Sequence, residues 1–500
     1  MIQLIESQSH HTKIIFLKNE NVKNHEHVKL LEKIDFKGKF GQTMYFPNID
    51  TLFVGIEYKL EVKSSDINAK PNYYTLGAKI VAEFENTKIN SLEISAIPIE
   101  YQISKIIQQI ILGISQRSWQ FDKYLSKKSS LKKYYDISFG EGLGDIMTIA
   151  DSKELFALDK GITLNRMLVE ETPEALNPNS IQKILKSEFQ HYSNATHEIL
   201  NFDQLEAIGM EGITAVGRGS RFKPILSHIT LKPKNQMSTS KVCLIGKGLT
   251  YDSGGMDIKT EGHMRTMKMD MGGSALMAGV MKTLAELGGL EHTEVHWISA
   301  YAENMVSDNS YKSDDILTTY SGQTVEIWNT DAEGRLTLAD ALSYATTFNP
   351  KYIVDAATLT GACIRAISEY YTGVMGNDKD LIDDISRAFV EQGELAVHTP
   401  LPEILRPSVK GEISDLINTS LPGTNAGHLT AGLFLSHFVD QNNFRGDKYG
   451  KIENKAYPWV HLDIAGSSYN SKKNDLQTDG ATGHGVKSLV SWLKGLDLQN

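Results

Sequence analysis

The sequence predicts an α/β fold with two domains, each a mostly parallel or mixed sheet flanked by helices, and a helix that connects them. The chain has 500 residues, which is more than one hydrophobic core usually supports. Short apolar runs that suit β-strands alternate along it with stretches in which apolar residues recur at helical spacing. Its composition, 41% apolar and 22% charged residues, is that of an ordinary globular protein.

Residues 1–150 are predicted to form an amino-terminal α/β domain. β-branched and aromatic runs predict strands, and apolar side chains at helical spacing predict helices, as follows: strands at 14–17 and 52–56, helices at 76–84 and 103–119. Residues 151–172 then predict the connecting helix, because their apolar side chains keep a helical period up to Leu168 and Pro173 ends the pattern.

Residues 173–500 are predicted to form the second domain, in which strand, loop and helix alternate. Apolar runs at 242–245, 295–298 and 352–354 each lead into a segment of glycine, small or polar residues. We expect residues 246–248, Gly-Lys-Gly, to form a glycine-rich loop after the first of these runs. Because the ligands of a parallel sheet gather at the carboxyl ends of its strands, we expect the functional residues in these segments.

Composition also limits where the protein acts. The formal net charge of −10 gives no general attraction to nucleic acid, which is therefore not expected as a partner. Cys243 and Cys363 lie among apolar or small residues, which predicts core positions and no disulfide. The first residues lack the pattern of a secretion signal, and the longest apolar runs are too short to span a membrane, so we expect a cytoplasmic location.

Four carboxylates lie beside glycine or small residues, where they have no obvious role in solubility: Asp252, Asp270, Asp331 and Glu333. The last two are two residues apart and precede an apolar helical pattern, which predicts a strand-to-helix turn that points both side chains to one face. If the four converge, they raise one another's pKa, and two divalent cations would supply the matching charge. Taken singly, an aspartate near glycine is more often a helix cap or a turn former than a metal ligand.

Three basic residues, Lys247, Lys259 and Arg335, occur in the same segments. Lys247 follows an apolar run between two glycines, where poor solvation is expected to lower its pKa and leave a neutral amine that can bind metal. A phosphate-binding loop is a weaker interpretation, because the spacing of that motif is not met. The sequence contains neither a His-Glu-x-x-His zinc helix nor a Gly-x-Ser-x-Gly elbow, which favours metal-activated water over covalent catalysis.

Residues 329–336, Asn-Thr-Asp-Ala-Glu-Gly-Arg-Leu, match the eight-residue signature of the leucyl aminopeptidases, also called cytosol aminopeptidases. Further motifs of this family occur in the same order as in its members, at residues 246–255, 267–273, 321–326, 355–362 and 459–466. From residue 160 to residue 490, the chain therefore resembles this family.

The resemblance implies a metallo-aminopeptidase that removes the amino-terminal residue of peptides, preferably Leu, Met or another apolar residue. It implies two divalent cations per subunit, Zn or Mn, a water that bridges them, and five ligands: Lys247, Asp252, Asp270, Asp331 and Glu333. Lys259 would polarise the scissile carbonyl, and Arg335 would hold a bicarbonate ion that serves as general base. The implied substrate pocket consists of Met267, Thr358, Leu359, Gly361 and Ala481.

The resemblance also implies a homohexamer, peptide substrates with a free amino terminus, and a non-catalytic role for the amino-terminal domain. The chain departs from the family at His484-Gly485, where Arg-Pro is usual. Two alternatives are a binding or regulatory protein on this fold and another two-metal hydrolase such as a phosphatase. The intact metal and catalytic positions argue against the first, and the lack of histidine in these segments argues against the second.

Overall fold

The computed structural model describes residues 2–5, 11–57, 72–85, 87–126, 135–237, 240–445, 455–474 and 479–499. The chain divides into two compact units. The first consists of Met1–Asp159 with Ser471–Gly480, and the second of Lys160–Asn470 with Ala481–Asn500. The boundary between Asp159 and Lys160 falls within one long helix, α5 (Ile149–Glu170).

The first unit contains a mostly parallel sheet. Its strands among the described residues are β1 (Ile2–Leu4), β2 (Thr12–Leu17), β3 (Thr43–Phe46), β4 (Thr51–Gly55), β5 (Ser91–Ala96) and β6 (Tyr135–Phe139). They are ordered β1-β6-β5-β2-β4-β3, and only the edge strand β3 is antiparallel to its neighbour. Its helices before α5 are α1 (Asn19–Lys23), α2 (Val28–Lys33), α3 (Tyr73–Phe84) and α4 (Ser104–Ser118).

The second unit contains a larger, mixed sheet. Its strands are β7 (Ala195–Leu200), β8 (Ile225–Leu231), β9 (Ser240–Asp252), β10 (Thr293–Asn304), β13 (Tyr352–Ala357), β14 (Thr372–Gly376), β15 (Ala396–His398) and β17 (Trp459–Asp463). The order is β15-β14-β17-β13-β9-β10-β8-β7, and the central strands β17, β13, β9 and β10 are parallel. Small sheets are formed by β11 (Ile316–Thr318), β12 (Thr324–Glu326) and β16 (Leu416–Ile417), and by β18 (Tyr469–Asn470) and β19 (Gly480–Ala481).

Helices alternate with these strands along the chain, which confirms the predicted α/β fold with mixed sheets. They are α6 (Pro178–Phe189), α7 (Phe202–Ala207), α8 (Glu211–Gly217), α9 (Gly272–Glu286), α10 (Gly334–Thr346), α11 (Gly361–Ile367), α12 (Lys379–Glu391), α13 (Gly427–Ser436) and α14 (Val486–Asp497). Both cysteines are buried and free, as predicted. Among the described residues, we find no helix with the length and apolar character that a membrane crossing requires.

Strand β9 is longer than its apolar run predicts, and the expected loop at residues 246–248 is wrong. Gly246, Lys247 and Gly248 all lie within β9, which pairs with β10 on one side and β13 on the other. Gly246 is needed for close packing, because an added Cβ would lie 2.4 Å from the Cα of Ser274 in α9. The glycines therefore mark close contact in a buried strand, and Lys247 projects from a rigid element.

The chain turns at the carboxyl ends of the central strands, where the sequence predicts functional residues. Asp252 is the last residue of β9, and Thr358 directly follows β13. Asp270 lies two residues before α9, and Glu333 is the N-cap of α10. Strand pairing and helix starts thus bring together side chains that are distant in sequence.

We predict that Gly273→Ala destabilises the second unit, because α9 packs directly on the sheet at this residue. An added Cβ would lie 1.9 Å from the carbonyl oxygen of Ala356 and 2.9 Å from the backbone nitrogen of Lys247. Overpacking of this kind costs about 1–3 kcal/mol or more. Urea denaturation measures the loss in the free energy of unfolding.

Gly495→Ala is the matched control for this variant. Gly495 lies in α14, and an added Cβ would meet none of the described atoms within 4 Å. Alanine there should leave stability unchanged or raise it by up to about 1 kcal/mol, because alanine favours the helix. Equal stability of the two variants would contradict the predicted backbone contact.

Candidate active site

The predicted metal-binding and catalytic residues meet in one cavity of about 550 Å³ in the second unit. Its lining includes Lys247, Asp252, Lys259, Asp270, Asp331, Glu333 and Arg335. Carboxylate oxygens of Asp252, Asp331 and Glu333 all lie within 4.8 Å of one another. The convergence that the sequence analysis assumed is therefore present in the structure.

Asp331 and Glu333 reach the cavity from the connection between β12 and α10, as the predicted strand-to-helix turn requires. The expected extended geometry is wrong, however, because Thr330 and Asp331 form a turn and Glu333 has helical dihedral angles, φ −76° and ψ −36°. The backbone of Asp331 donates a 2.6 Å hydrogen bond to the Asn329 side chain. This local turn, and not the alternation of a strand, aims the two carboxylates.

Lys247 is almost fully buried and contacts two of the acids. Its Nζ lies 2.7 Å from Asp270 Oδ2 and 3.1 Å from Glu333 Oε1, and it donates to the Thr358 carbonyl at 3.1 Å. Burial by itself lowers the pKa of Lys247, but the charges of Asp270, Glu333 and Asp252 outweigh burial and raise it. The expected fall in its pKa is therefore wrong for this arrangement.

Lys259 contacts the other two acids. Its Nζ lies 2.7 Å from Asp252 Oδ2 and 2.5 Å from Asp331 Oδ1. Burial lowers the pKa of Lys259, and the charges of Asp252 and Glu333 raise it above its ordinary value. Since only 14% of its side chain is exposed, this ammonium group is a fixed positive charge on the cavity wall.

Two lysines do not neutralise four converging carboxylates. Burial raises the pKa of Glu333 to about 8, and the charges of Asp252 and Asp270 add to this effect. Burial and the charge of Asp252 likewise raise the pKa of Asp270, to about 6, and that of Asp331. The cavity therefore has an excess of negative charge that favours additional cations.

Two observations indicate that the acidic residues of the cavity are suited to bind divalent metal ions. Glu333 Oε2 is buried and has no hydrogen-bond partner within the part of the chain that the structure describes. The oxygen atoms of three acids also lie close enough to bind one ion. Carboxylate oxygens with a lysine nitrogen form a donor set that suits Mn or Zn.

Arg335 lies at the start of α10 and is buried. Burial lowers the pKa of Arg335 to about 10, although the charges of Glu333 and Asp463 raise it. Its guanidinium group lies 5.9 Å from the centre of the Phe434 ring, and among the described residues Nη1 has no hydrogen-bond partner. A buried cation with a free donor is suited to hold a small anion.

Four of the five expected substrate-pocket residues line the cavity, and the fifth, Ala481, does not. Met267, Thr358, Leu359 and Gly361 line the cavity. Ala481 does not belong to this lining and is fully buried in β19, where its backbone receives a hydrogen bond from Arg166 and donates one to Glu170. Thr358 donates a 2.9 Å hydrogen bond to Asp270, so the pocket wall is joined to the charged residues.

Sequence reasoning did not identify several residues of the lining. They include Asp257, Ile258, Thr260, His263, Met269, Asn329, Thr360, Ile364 and Ala465. His263 is an exposed histidine that also lines the cavity, and its position two residues beyond Glu261 in a loop carried no helical or strand pattern. The position of Asp257, two residues before Lys259, was the signal in the sequence that could have identified it as a cavity residue.

His428 and His461 are buried histidines. His428 Nδ1 lies 3.1 Å from Asp463, and His461 Nδ1 lies 2.6 Å from Asp355. Asp463 also accepts a 2.7 Å hydrogen bond from the hydroxyl of Thr360. Asp463 thus joins His428 to Thr360, which lines the cavity.

We predict that Glu333 contributes a fall in the stability of the metal-free protein as pH rises from about 5 to about 8. The folded-state pKa of Glu333, about 8, lies above its ordinary value of 4.5. Between these values the folded chain binds more protons at Glu333 than the unfolded chain, so the free energy of unfolding decreases with pH. Glu333→Gln cannot titrate and should show a weaker decrease.

Urea denaturation in EDTA at a series of pH values measures this difference. Glu391→Gln, at the exposed end of α12, is the matched control and should keep the wild-type dependence on pH. Parallel curves for wild type and Glu333→Gln would show that the pKa of Glu333 is not raised.

Comparisons with known proteins point to one family. The model of the cytosol aminopeptidase family, catalytic domain, matches residues 163–490. A probable cytosol aminopeptidase of Aquifex aeolicus is 33% identical over 468 residues, 93% of this chain and 90% of that protein. The crystal structure of a cytosol aminopeptidase from Coxiella burnetii has a TM-score of 0.81 at 25% identity and covers 99% of both chains.

A further solved structure, the bottromycin maturation enzyme BotP in complex with Mn, has a TM-score of 0.76 at 25% identity. The match covers 94% of this chain and 96% of the BotP chain. The family that the sequence motifs predicted is thus confirmed, and the protein is a metal-dependent aminopeptidase, a hydrolase. The chain belongs to the cytosol aminopeptidase family.

Proposed function

We propose that this aminopeptidase hydrolyses the amino-terminal residue of peptides at a centre of two divalent cations, Zn or Mn. The observation that carries the proposal is the convergence of four carboxylates and two lysines on one cavity. The proposed metal ligands are Lys247, Asp252, Asp270, Asp331 and Glu333. When bound, the cations would activate water and polarise the scissile carbonyl. The solved complex of BotP with Mn supports manganese as one candidate.

Lys247 must lose its proton before it can bind a cation. Its buried amine is held by Asp270 and Glu333, whose negative charges favour the protonated form. Cations that enter the cavity reverse this balance because they compensate the same carboxylates. Metal binding by this chain should therefore release protons.

Lys259 is proposed to stabilise the transition state. During hydrolysis, negative charge develops on the carbonyl oxygen of the scissile bond. The ammonium group of Lys259 lies at the cavity wall, and the loss of water from a substrate-filled cavity strengthens its attraction for that oxygen. Because it is already held in place, little reorganisation is needed when the charge develops.

Arg335 is proposed to hold bicarbonate, which would supply a general base. The buried guanidinium group, with Nη1 lacking a hydrogen-bond partner among the described residues, supports this role. The anion also compensates the positive charge of Arg335, which has no ion pair among the described residues. Proton transfer near the scissile bond then needs no histidine.

The cavity favours an apolar first residue, preferably Leu or Met. Met267, Met269, Leu359 and Ile364 supply apolar side chains to the lining of the same cavity. Flexible methionine side chains adapt to substrates of different shape. A free amino terminus is required because the acidic residues favour a positively charged or metal-binding amine at this point.

The remaining assignments rest on the family resemblance. We propose a homohexamer, a cytoplasmic location, a non-catalytic domain at 1–150, a connecting helix at 151–172 and a catalytic domain at 173–500. The name cytosol aminopeptidase, shared by the relatives, supports the location.

Hydrolysis of leucine amide by protein reconstituted with Mn or Zn tests the proposed function. We expect activity with leucine and methionine amides and much less with aspartate amide. Glu333→Ala should lower kcat/KM by more than about 100-fold, since 10- to 100-fold is the usual loss for groups that only support metal ligands. Glu391→Ala is the control. An inactive wild-type protein, or a fully active Glu333→Ala variant, would refute the proposal.

Removal of bicarbonate tests the role of Arg335. In buffer depleted of carbon dioxide, wild-type kcat should fall and then recover on addition of bicarbonate, with a full effect of about 100-fold or more. The Arg335→Met variant should hydrolyse leucine amide slowly both with and without bicarbonate. Arg365→Met, which alters an exposed arginine of α11, should respond to bicarbonate like the wild type. If Arg335→Met keeps the response, another group holds the anion.

A further inference from the structure

The loop that carries Lys259 is joined to the signature loop by reciprocal hydrogen bonds between Asp257 and Thr330. The backbone N–H of Thr330 donates to Asp257 Oδ2 at 2.7 Å, and the backbone N–H of Asp257 donates to Thr330 Oγ1 at 2.8 Å. The hydroxyl of Thr330 donates in turn to the Gly254 carbonyl at 2.7 Å. We call this pair the Asp257–Thr330 clasp.

The clasp continues into the charged residues. Asn304 donates to the Thr330 carbonyl at 3.0 Å and to Asp252 Oδ1 at 2.9 Å. The hydroxyl of Tyr311 donates to the same Thr330 carbonyl at 2.6 Å. Thr330 is therefore held at its N–H, hydroxyl and carbonyl groups, and it directly precedes Asp331.

The position of the clasp matters because Lys259 has a flexible side chain. Four methylene groups separate its ammonium group from the backbone, so the 2.5 Å approach to Asp331 depends on how the two loops are held. Asp257 lies two residues before Lys259, and Thr330 one residue before Asp331. The clasp thus joins the backbone beside each member of the ion pair.

We propose that Asp257 is a positioning residue, which through the Asp257–Thr330 clasp sets Lys259 and Asp331 at the distance that metal binding and hydrolysis require. The inference rests on the proposed function of the cavity. Asp257 itself is exposed, so its side chain contributes little to the hydrophobic core. Its carboxylate instead satisfies a backbone N–H of the signature loop, and Ser313 supports it with a 3.1 Å hydrogen bond.

The test measures Mn affinity by calorimetry and leucine amide hydrolysis in four variants. Asp257→Ala removes the acceptor, and Asp257→Asn keeps one oxygen that can accept the Thr330 N–H. Thr330→Val removes the hydroxyl at nearly constant size. Asp308→Ala, at an exposed aspartate in the loop after β10, is the control.

We expect Asp257→Ala to weaken Mn binding and to lower kcat, each by about 10- to 100-fold, the usual effect of groups that orient metal ligands. Asp257→Asn should recover most of both values, and Asp308→Ala should match the wild type. The Asp257→Ala/Thr330→Val double variant should lose less than the product of the single losses, because both changes break one clasp. A loss of global stability alone would lower the free energy of unfolding in urea but leave the Mn affinity and kcat of the folded protein unchanged.

Wild-type values for Asp257→Ala, or single losses that multiply in the double variant, would overturn the proposal. If Asp257→Ala does not fold, Mn affinity and leucine amide hydrolysis are measured in Thr330→Val instead, and wild-type values there would overturn the proposal. A wild-type protein that binds Mn but cleaves no amide would refute the proposed function alone, since the calorimetry still tests the clasp. A wild-type protein that binds no Mn would overturn both.

Discussion

Mutual repulsion of buried carboxylates is the constraint on which the rest of the site depends. Asp252, Asp270, Asp331 and Glu333 converge in a cavity where water screens their charges poorly. Lys247 and Lys259 each contact two of the acids. Burial, together with the charges of Asp252 and Asp270, nevertheless raises the pKa of Glu333 to about 8. Such a site favours cations strongly, because binding them removes a cost that the folded chain already bears.

Close packing of backbones makes this concentration of charge possible. An added Cβ at Gly246 would meet α9, and one at Gly273 would meet β13. At Gly334, within the signature, it would lie 2.3 Å from Cε of Lys247. The glycines of these motifs therefore let a helix, a strand and a lysine side chain approach until Lys247 can reach two carboxylates.

The lining of the cavity combines charged and apolar side chains. Lys259 and the acids supply the charged part of the lining, whereas Met267 and Ile364 supply apolar side chains. Thr358 also lines the cavity and donates to Asp270. A substrate that contacts Thr358 would thus be placed relative to the acids by a hydrogen-bonded side chain, which is more precise than placement by freely rotating side chains.

The sequence by itself determined the fold class, the family and the set of charged residues, because strand periodicity, glycine positions and the signature at 329–336 are local patterns. Tertiary structure decided that Lys247 lies within β9, that its pKa is raised, and that Asp257 and His263 reach the cavity while Ala481 lies outside its lining. These features depend on strand pairing and on charges contributed by residues far apart in the chain. Local patterns carry no record of such neighbours, so only the folded chain defines them.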